Sequence, residues 1–156
     1  MKNIIVRAAQ KDEIVTLLTF EQGIVTAERP FDSTLKEGEI HYYDLIHLIE
    51  SPEAEVVVAE IDGELVGSGY ALIKEAKPYL KHAHYAYLGF MYVKPQYRGQ
   101  GVNKAILEAL KQWSVSQNIR EIRLEVYEDN TVAKKAYEKA GFKGNLLEMR
   151  MELDGE

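Results

Sequence analysis

One feature of the sequence limits the possible folds of this chain most. An apolar segment runs directly into a glycine-containing turn and then into an amphipathic helix. Residues 86–93, AYLGFMYV, are largely apolar and rich in β-forming residues, as in a central strand buried on both faces. The turn KPQYRGQG follows at residues 94–101. The apolar residues after it share one stripe of a helix: Val102, Ile106, Leu107, Leu110 and Trp113. This predicts a strand, turn and helix packed into a larger sheet.

The chain before this unit predicts a strand, a helix, a polar loop and a second helix, from apolar spacing and from loop-forming Pro, Gly, Asp and Ser. In chain order these are residues 3–9, 12–27, 28–39 and 41–50. Asp62-Gly63 then separates two apolar segments, which predicts an antiparallel hairpin.

The chain after this unit predicts a strand, a helix and a last strand. Residues 119–127 are typical of a strand, Asn130 caps a helix that Gly141 ends, and residues 146–153 predict the final strand. The order β-αα-β-β-β-α-β-α-β predicts an α/β (α+β) fold, with a central mixed sheet flanked by helices. A length of 156 residues suits a single domain over residues 1–156.

Composition and charge exclude several classes of protein. A net charge of -6 argues against a nucleic-acid partner. No apolar run approaches the roughly 20 residues that span a bilayer, and the N-terminus lacks a signal-peptide pattern. The absence of cysteine excludes a disulfide framework, a thiolate metal site and a cysteine nucleophile. We therefore expect a cytoplasmic protein without a membrane partner.

The charge is unevenly distributed along the chain. Residues 1–93 carry a net charge of -7, whereas residues 94–139 carry +3. The basic excess begins at the glycine turn, which suggests that an anion binds there and that the acidic half faces a different partner. A chance distribution over a solvated surface explains the same counts.

The glycine turn has the features of a phosphate site. A helix that begins after a glycine turn presents free N–H groups and its positive dipole end to an anion. Gly99 and Gly101 allow close approach of the backbone, and Arg98 offers a bidentate charged donor. Two well-known phosphate loops are excluded. A dinucleotide-binding fingerprint requires Gly or Ala at position 104, which is Lys104, and the spacing of a Walker A motif is absent. The alternative is a plain strand-to-helix turn with a surface arginine.

A second group of residues lies on one face of the helix after Asn130. Ala133 and Tyr137 follow at helical spacing, and the small Ala133 leaves room for a ligand. The alternative is an N-cap, an ordinary alanine and a half-buried aromatic residue.

Together, YVKPQYRGQGVNKAIL and VYEDNTVAKKAYEKAGF resemble the two central motifs of the Gcn5-related N-acetyltransferase (GNAT) superfamily. The first motif is Arg/Gln-x-x-Gly-x-Gly/Ala, and the second is Asn-x-x-Ala-x-x-x-Tyr followed by Gly-Phe. The motifs cover about residues 91–142, and the predicted order of elements extends the resemblance over the whole chain. The resemblance implies an acetyl-CoA-dependent N-acetyltransferase that needs no metal. Its acceptor would be a primary amine of a small molecule or peptide, acetylated directly in a ternary complex.

The resemblance also implies which residues bind the cofactor. The pyrophosphate would be held by Arg98, Gly99, Gln100, Gly101, Val102 and Asn103. The pantetheine arm would pair with the backbone of Met91, Tyr92 and Val93, opposite Asn130 and Ala133. Asn103 stands where a packing glycine is expected, and its amide either reaches a phosphate or bonds nearby backbone.

Tyr137 would be the general acid, because a phenol with a pKa near 10 can protonate the leaving thiolate without being ionised at neutral pH. A backbone N–H at the splayed end of the Met91 strand would stabilise the oxyanion.

The general base and the acceptor remain open. Residues 86–93 lack the carboxylate that many relatives carry, so the candidates for the base are Glu125, Glu28, Asp32, His41, His82 and His84. The expected acceptor contacts are Glu28, Arg29, Asp32, His41, Tyr42 and Tyr43, in an acidic half that suits a cationic amine. A non-catalytic acyl-CoA-binding or regulatory module on the same fold is the alternative function, although the intact Tyr137 favours the enzyme. A homodimer is common among similar proteins.

Overall fold

The computed structural model describes residues 3–154, and the chain divides between Glu125 and Val126 into two compact units. The first unit contains the sheet and its helices, and the second contains one helix. No helix within the described range is long and apolar enough to cross a membrane. The single domain expected over residues 1–156 stays a prediction.

The strands and helices follow the predicted order up to the last helix. The strands are β1 Ile5–Ala8, β2 Ala54–Ile61, β3 Glu64–Glu75, β4 His84–Val93 and β5 Ile122–Arg123. The helices are α1 Ile14–Glu28, α2 Leu45–Glu50, α3 Val102–Ser116 and α4 Thr131–Lys139. Short 3₁₀ turns are formed by Lys11–Glu13, Arg29–Phe31 and Pro95–Tyr97.

The sheet has the spatial order β1-β2-β3-β4-β5. Its first four strands are antiparallel neighbours, and the Asp62-Gly63 turn joins β2 to β3 as predicted. β5 is parallel to β4, and it pairs with β4 only at Ala86 and Tyr87. β4 therefore extends beyond its partner toward the glycine turn.

Helices cover both faces of this sheet. On one face, α1 and α2 pack on a core that includes Phe20, Tyr70 and Phe90. On the other face, α3 approaches β3 so closely that a Cβ at Gly67 or Gly69 would lie 3.1 Å or 2.8 Å from Ile106. The mixed sheet flanked by helices confirms the predicted fold class.

The helix expected over residues 41–50 begins only at Leu45. The backbone N–H groups of Tyr42 and Tyr43 donate to the buried Glu21 carboxylate at 2.8 Å and 3.0 Å. Asp44 then caps the shorter helix by accepting a hydrogen bond from the His47 N–H. The spacing of apolar residues does not reveal that the side chain of Glu21, distant in sequence, accepts hydrogen bonds from these amides.

Two strand predictions near the end of the chain are also corrected. The strand expected over residues 119–127 is formed only at Ile122–Arg123. The last strand, expected over residues 146–153, is absent from the described structure, where Leu146 and Met149 are exposed. The alternation of apolar and polar residues indicates a preference for an extended backbone. A strand also requires hydrogen bonds to the amides and carbonyls of a neighbouring strand.

Candidate active site

A β-bulge interrupts β4 in its second half. Tyr70 is paired with Gly89, and Ser68 is paired with Tyr92, so that Phe90 and Met91 together lie opposite one residue of β3. Phe90 has a φ of 58°, which is uncommon for a residue with a side chain. Such a bulge disrupts the regular ladder and re-aims backbone groups, which is a frequent arrangement beside active sites.

Aromatic side chains surround the bulge on the face covered by α1. The Tyr43 ring lies 5.4 Å from the Phe90 ring and 5.5 Å from the Tyr70 ring, both edge-on. Burial raises the pKa of the Tyr43 phenol, and a backbone hydrogen bond from Phe90 opposes that shift. Tyr70 covers Gly89, where an added Cβ would lie 2.6 Å from the phenol ring. These phenols therefore stay protonated and form one side of the bulge.

The turn after β4 presents the start of α3 with its backbone exposed. Gly99 and Gly101 have φ values of 77° and 90°, and a Cβ at either position would meet no atom within 4 Å. Gly101 is the N-cap of α3, which no side chain caps among the described residues, and the first helical bond runs from the Ala105 N–H to the Gly101 carbonyl. The earlier amides of α3 therefore have no helical partner, as an anion site requires.

The side chains of this turn differ in what they can contribute. Arg98 is exposed and donates through Nε to the Val93 carbonyl at 3.2 Å. Gln100 donates to the Gln96 carbonyl at 3.1 Å. Val102 is buried against β3, so only its backbone N–H can serve a phosphate. Asn103 is half-buried in the first turn of α3.

The last residues of β4 place their side chains in the core. The Tyr92 ring lies 5.0 Å from the Phe20 ring and covers Gly23, where a Cβ would lie 2.5 Å from the ring. The Met91 sulfur lies on the opposite face beside Gly69. Because β5 ends at Arg123, the backbone of these residues pairs with β3 on one side and extends beyond the part of β4 that pairs with β5 on the other.

Glu21 connects α1 to the start of the segment before α2. Its side chain is fully buried, its Oε2 accepts from the amides of Tyr42 and Tyr43, and its Oε1 lies 2.8 Å from His41 Nδ1. The Glu21 carboxylate raises the pKa of His41, and Glu39, 3.2 Å from the other ring nitrogen, adds to that effect. Glu21 thereby holds the segment that carries Tyr43 to the bulge.

Glu28 lies at the end of α1 with Tyr42 and Asp32 nearby. Burial raises the pKa of Glu28, the Tyr42 hydroxyl opposes the shift, and the charge of Asp32 adds to it. Arg29 turns away from this group and donates to the carbonyls of Lys36 and Gly38. The expected acceptor contacts thus fall into two neighbouring groups, one around Glu28 and one around Glu21.

Glu125 lies just after β5 and interacts with two tyrosines of the sheet. Its carboxylate accepts a hydrogen bond from the Tyr87 hydroxyl at 2.7 Å. Burial raises the pKa of the Tyr70 phenol, and the charge of Glu125 adds to that shift. Of the histidines considered as a base, His82 lies 3.0 Å from Glu121, and both His82 and His84 lie at the opposite end of β4 from the bulge.

The second unit positions Tyr137 through the cap of α4. Asn130 accepts the Ala133 N–H at 3.2 Å and so caps the helix as predicted. Gly141, with a φ of 110°, ends it in a Schellman motif, in which the N–H of Phe142 donates to the Tyr137 carbonyl at 3.0 Å. The Tyr137 and Phe142 rings pack edge-on at 5.7 Å. The Gly-Phe pair of the second motif is therefore what fixes the end of the helix beside Tyr137.

Sequence reasoning missed Glu21, Ser68 and the bulge. Glu21 interrupts an apolar region of α1, and Ser68 lies between two strand glycines, a pattern that indicates close backbone approach. Both patterns are visible in the sequence, but neither identifies the hydrogen-bond partner of the side chain, because that partner is distant along the chain. No group of three acidic, histidine or cysteine side chains within residues 3–154 is arranged to hold a metal ion.

Comparison with known proteins gives one consistent result. The model of the acetyltransferase (GNAT) family matches residues 22–142. An N-alpha-acetyltransferase of Sulfurisphaera tokodaii is 34% identical over 130 residues, which cover 78% of this chain and 75% of that protein. An aminoglycoside N(6')-acetyltransferase type 1 of Stenotrophomonas maltophilia is 29% identical over 98 residues, 61% of this chain and 63% of that protein, so the match spans less than two thirds of it.

A solved structure of similar fold covers nearly the whole chain. It is that of a predicted acetyltransferase from Clostridium acetobutylicum with acetyl-CoA, at a TM-score of 0.73 and 19% identity, covering 95% of this chain and 96% of that one. At this identity the likeness shows the fold.

Proposed function

Because the chain belongs to the acetyltransferase (GNAT) family and is an N-acetyltransferase, we propose that it transfers the acetyl group of acetyl-CoA directly to a primary amine of a small molecule or peptide. The observation that carries this proposal is the bulge at Phe90 and Met91, in a strand that leads directly into the Gly99–Gly101 turn. The bulge presents a backbone donor for the reacting carbonyl, and the turn presents amides for a phosphate.

The turn fits the pyrophosphate of CoA by its chemistry. Its glycines leave the backbone open, the first amides of α3 have no helical partner, and Arg98 is exposed beside them. Arg98 donates through Nε to the Val93 carbonyl, and the rest of its guanidinium supplies further donors. We assign phosphate binding to the backbone of residues 99–103, with Arg98 as the charged partner and Asn103 as a further donor.

The contacts expected for the pantetheine arm are consistent with a pyrophosphate of CoA bound at the turn. The backbone of Met91, Tyr92 and Val93 continues past the end of β5, while the side chains of Met91 and Tyr92 pack inward. Extended backbone of this kind can pair with the amides of a pantetheine arm, as an added strand would. We retain the small Ala133 and the cap Asn130 as proposed contacts of the arm.

The transfer balances with groups of this chain. The amine nitrogen forms a bond to the acetyl carbon, the carbon–sulfur bond breaks, and its electron pair stays on the sulfur of CoA. A carboxylate takes the proton that the amine loses, Tyr137 supplies a proton to the sulfur, and the N–H of Met91 donates to the acetyl oxygen as it becomes negative. Because the chain has no cysteine, it offers no thiol for an acetyl-enzyme route.

Two carboxylates are retained as candidates for the base. Glu125 is exposed and held by Tyr87 near Tyr70. Glu28 is half-buried, and its raised pKa brings it closer to the range in which a base works well at neutral pH. Both adjoin tyrosines that pack at the bulge.

The acceptor is proposed to enter on the face covered by α1. The phenols of Tyr43 and Tyr70 stay neutral, and Glu28 and Asp32 add negative charge, so this side favours a cationic amine. The names of the two relatives point to two acceptor types, an alpha-amino group and an aminoglycoside amine.

A screen of acceptors tests the proposal. The protein is incubated with acetyl-CoA and, separately, with peptides of varied N-terminus, aminoglycosides, polyamines and amino acids, and the released thiol of CoA is measured. We expect release that depends on one of these amine classes, with the acetylated product seen by mass spectrometry. Binding of CoA without turnover across all four classes would instead support a binding or regulatory module.

A further inference from the structure

Ser68 is a buried polar residue that the transfer chemistry above does not use. It lies in β3 between Gly67 and Gly69, its side chain is fully buried, and its register partner is Tyr92. Its hydroxyl donates to the backbone carbonyl of Phe90 at 2.9 Å. This bond joins β3 to the one peptide unit of β4 that lies inside the bulge.

The bond determines where the next amide points. A peptide unit is planar and trans, so the N–H of Met91 is directed opposite to the carbonyl of Phe90. Since that carbonyl is held by Ser68, the N–H of Met91 is turned away from β3. The N–H of Phe90 is engaged with the Tyr43 hydroxyl. The N–H of Met91 is therefore the amide of the bulge that faces away from both Ser68 and Tyr43.

The hydroxyl also stabilises an otherwise unfavourable backbone. Phe90 has a φ of 58°, a left-handed conformation that is unfavourable for a residue with a side chain. Its carbonyl is in the interior, where a polar group without a partner is costly. Removing the Ser68 hydroxyl leaves that carbonyl without its partner and frees the peptide unit to rotate.

We propose that Ser68 is a positioning residue for acetyl transfer, which holds the Phe90–Met91 peptide unit so that the N–H of Met91 faces the acetyl oxygen. This inference rests on the proposed function. Ser68 does not touch the substrates, and it acts through the direction of one backbone donor. Its loss should therefore affect the rate of transfer more than the binding of either substrate.

The test compares two buried serines with the same chemistry. Ser114 in α3 is also buried, and it donates to the Leu110 carbonyl at 2.8 Å. Ser68→Ala should lower kcat roughly tenfold, less than the loss of a whole oxyanion donor, while the dissociation constant of acetyl-CoA and the KM of the acceptor change by less than about twofold. Ser114→Ala should leave kcat unchanged. Ser68→Thr, which keeps the hydroxyl, should restore most of the rate.

A spectroscopic measurement separates this inference from the proposed function. Acetyl-CoA labelled with ¹³C at the thioester carbonyl is bound to each variant, and the carbonyl stretching frequency is recorded by isotope-edited infrared spectroscopy. We expect a lower frequency in the wild type than in water, and a smaller shift in Ser68→Ala at equal occupancy. This readout requires binding but no acceptor, so it stands even if no amine is acetylated.

The outcomes are distinct. An equal carbonyl shift in Ser68→Ala and the wild type would overturn the role of Ser68, whatever the screen of amines gives. A shift that is lost in Ser68→Ala, with no acceptor found, would support Ser68 and reject the proposed acceptors. A parallel loss of kcat in Ser114→Ala would show that the effect is a general consequence of core destabilisation, and would also reject the inference.

Discussion

The hydroxyl of Tyr87 donates to the carboxylate of Glu125 at 2.7 Å, which connects β4 to the segment that follows β5. Burial and the Glu125 carboxylate raise the pKa of the Tyr87 phenol, so it stays a donor at neutral pH. The same carboxylate acts on Tyr70, which covers Gly89 beside the bulge. Glu125 is therefore held in a defined position next to the residues that surround the bulge.

Substitution of the two candidate carboxylates identifies the base. If Glu125 is the base, Glu125→Gln should lower kcat about 100-fold with little change in the affinity for acetyl-CoA, because general base catalysis contributes at least that much. Glu28→Gln should then have a smaller effect. Steady-state kinetics with the acceptor found in the screen measures both, with the exposed Glu108→Gln in α3 as the control.

The pH profile adds a second criterion. If Glu28 is the base, the acid limb of kcat/KM should lie above the ordinary range of a glutamate, because burial raises the pKa of Glu28. The limb should vanish in Glu28→Gln. If both variants keep the wild-type rate, neither carboxylate is the base.

Tyr137→Phe should lower kcat about 100-fold and leave the dissociation constant of acetyl-CoA nearly unchanged, because it removes a proton donor and little surface. The edge-on packing against Phe142 should survive, since the ring is retained. Kinetics and calorimetric titration with acetyl-CoA measure the two quantities. Tyr79→Phe, at a side chain that is 82% exposed, is the control, and an unchanged rate in Tyr137→Phe would remove Tyr137 from the mechanism.

Arg98→Ala should weaken the binding of CoA roughly tenfold, because it removes a charged donor from the phosphate turn. The loss should shrink at high salt, where the charge is screened. Titration calorimetry at two salt concentrations measures it, with the exposed Arg120→Ala as the control. If turnover is lost while the affinity for CoA is unaltered, Arg98 does not bind the phosphates.

The pair of Glu21 and His41 should make stability depend on pH. The pKa of His41 is raised in the folded protein, so its stabilisation is fully present below the unfolded value of about 6.5 and is lost as the pH rises through the folded pKa. Urea unfolding between about pH 6 and pH 9 should show this decrease in the wild type.

Two variants of this region test the cause. Glu21→Gln should abolish most of the pH dependence and destabilise the protein by about 1–3 kcal/mol, because two backbone amides lose the charged, buried acceptor that Glu21 provides. Glu39→Gln should keep most of the dependence, since Glu39 contributes less to the shift. An equal pH dependence in Glu21→Gln and the wild type would assign it to another group.

Gly67→Ala should destabilise the protein by about 1–3 kcal/mol, because the added Cβ would lie 2.7 Å from the backbone oxygen of Tyr92 and 3.1 Å from side chains of α3. Gly144→Ala, where a Cβ meets nothing within 4 Å, is the matched control and should change the free energy of unfolding little. Chemical denaturation measures both. Equal stability of the two variants would contradict the close packing of α3 on β3.

Local patterns in the sequence predicted most of the elements correctly. The Asp62-Gly63 hairpin, the buried strand ending at Val93, the α3 stripe and the Asn130 and Gly141 caps of α4 all depend on neighbours within a few residues. The same locality explains the errors. The start of α2 depends on Glu21, about twenty residues earlier, and strand formation at residues 146–153 depends on a pairing partner that the segment itself does not contain.

The sequence by itself determined the family, the order of elements up to α4 and the residues of the two motifs, because turn chemistry, caps and apolar periodicity are properties of short segments. The tertiary structure alone decided where backbone groups point. The bulge at Phe90, its bond from Ser68 and the position of Tyr43 arise from contacts between residues 19 or more positions apart. Such contacts depend on how strands pair and on which buried polar atoms find partners, and these are properties of the folded chain as a whole.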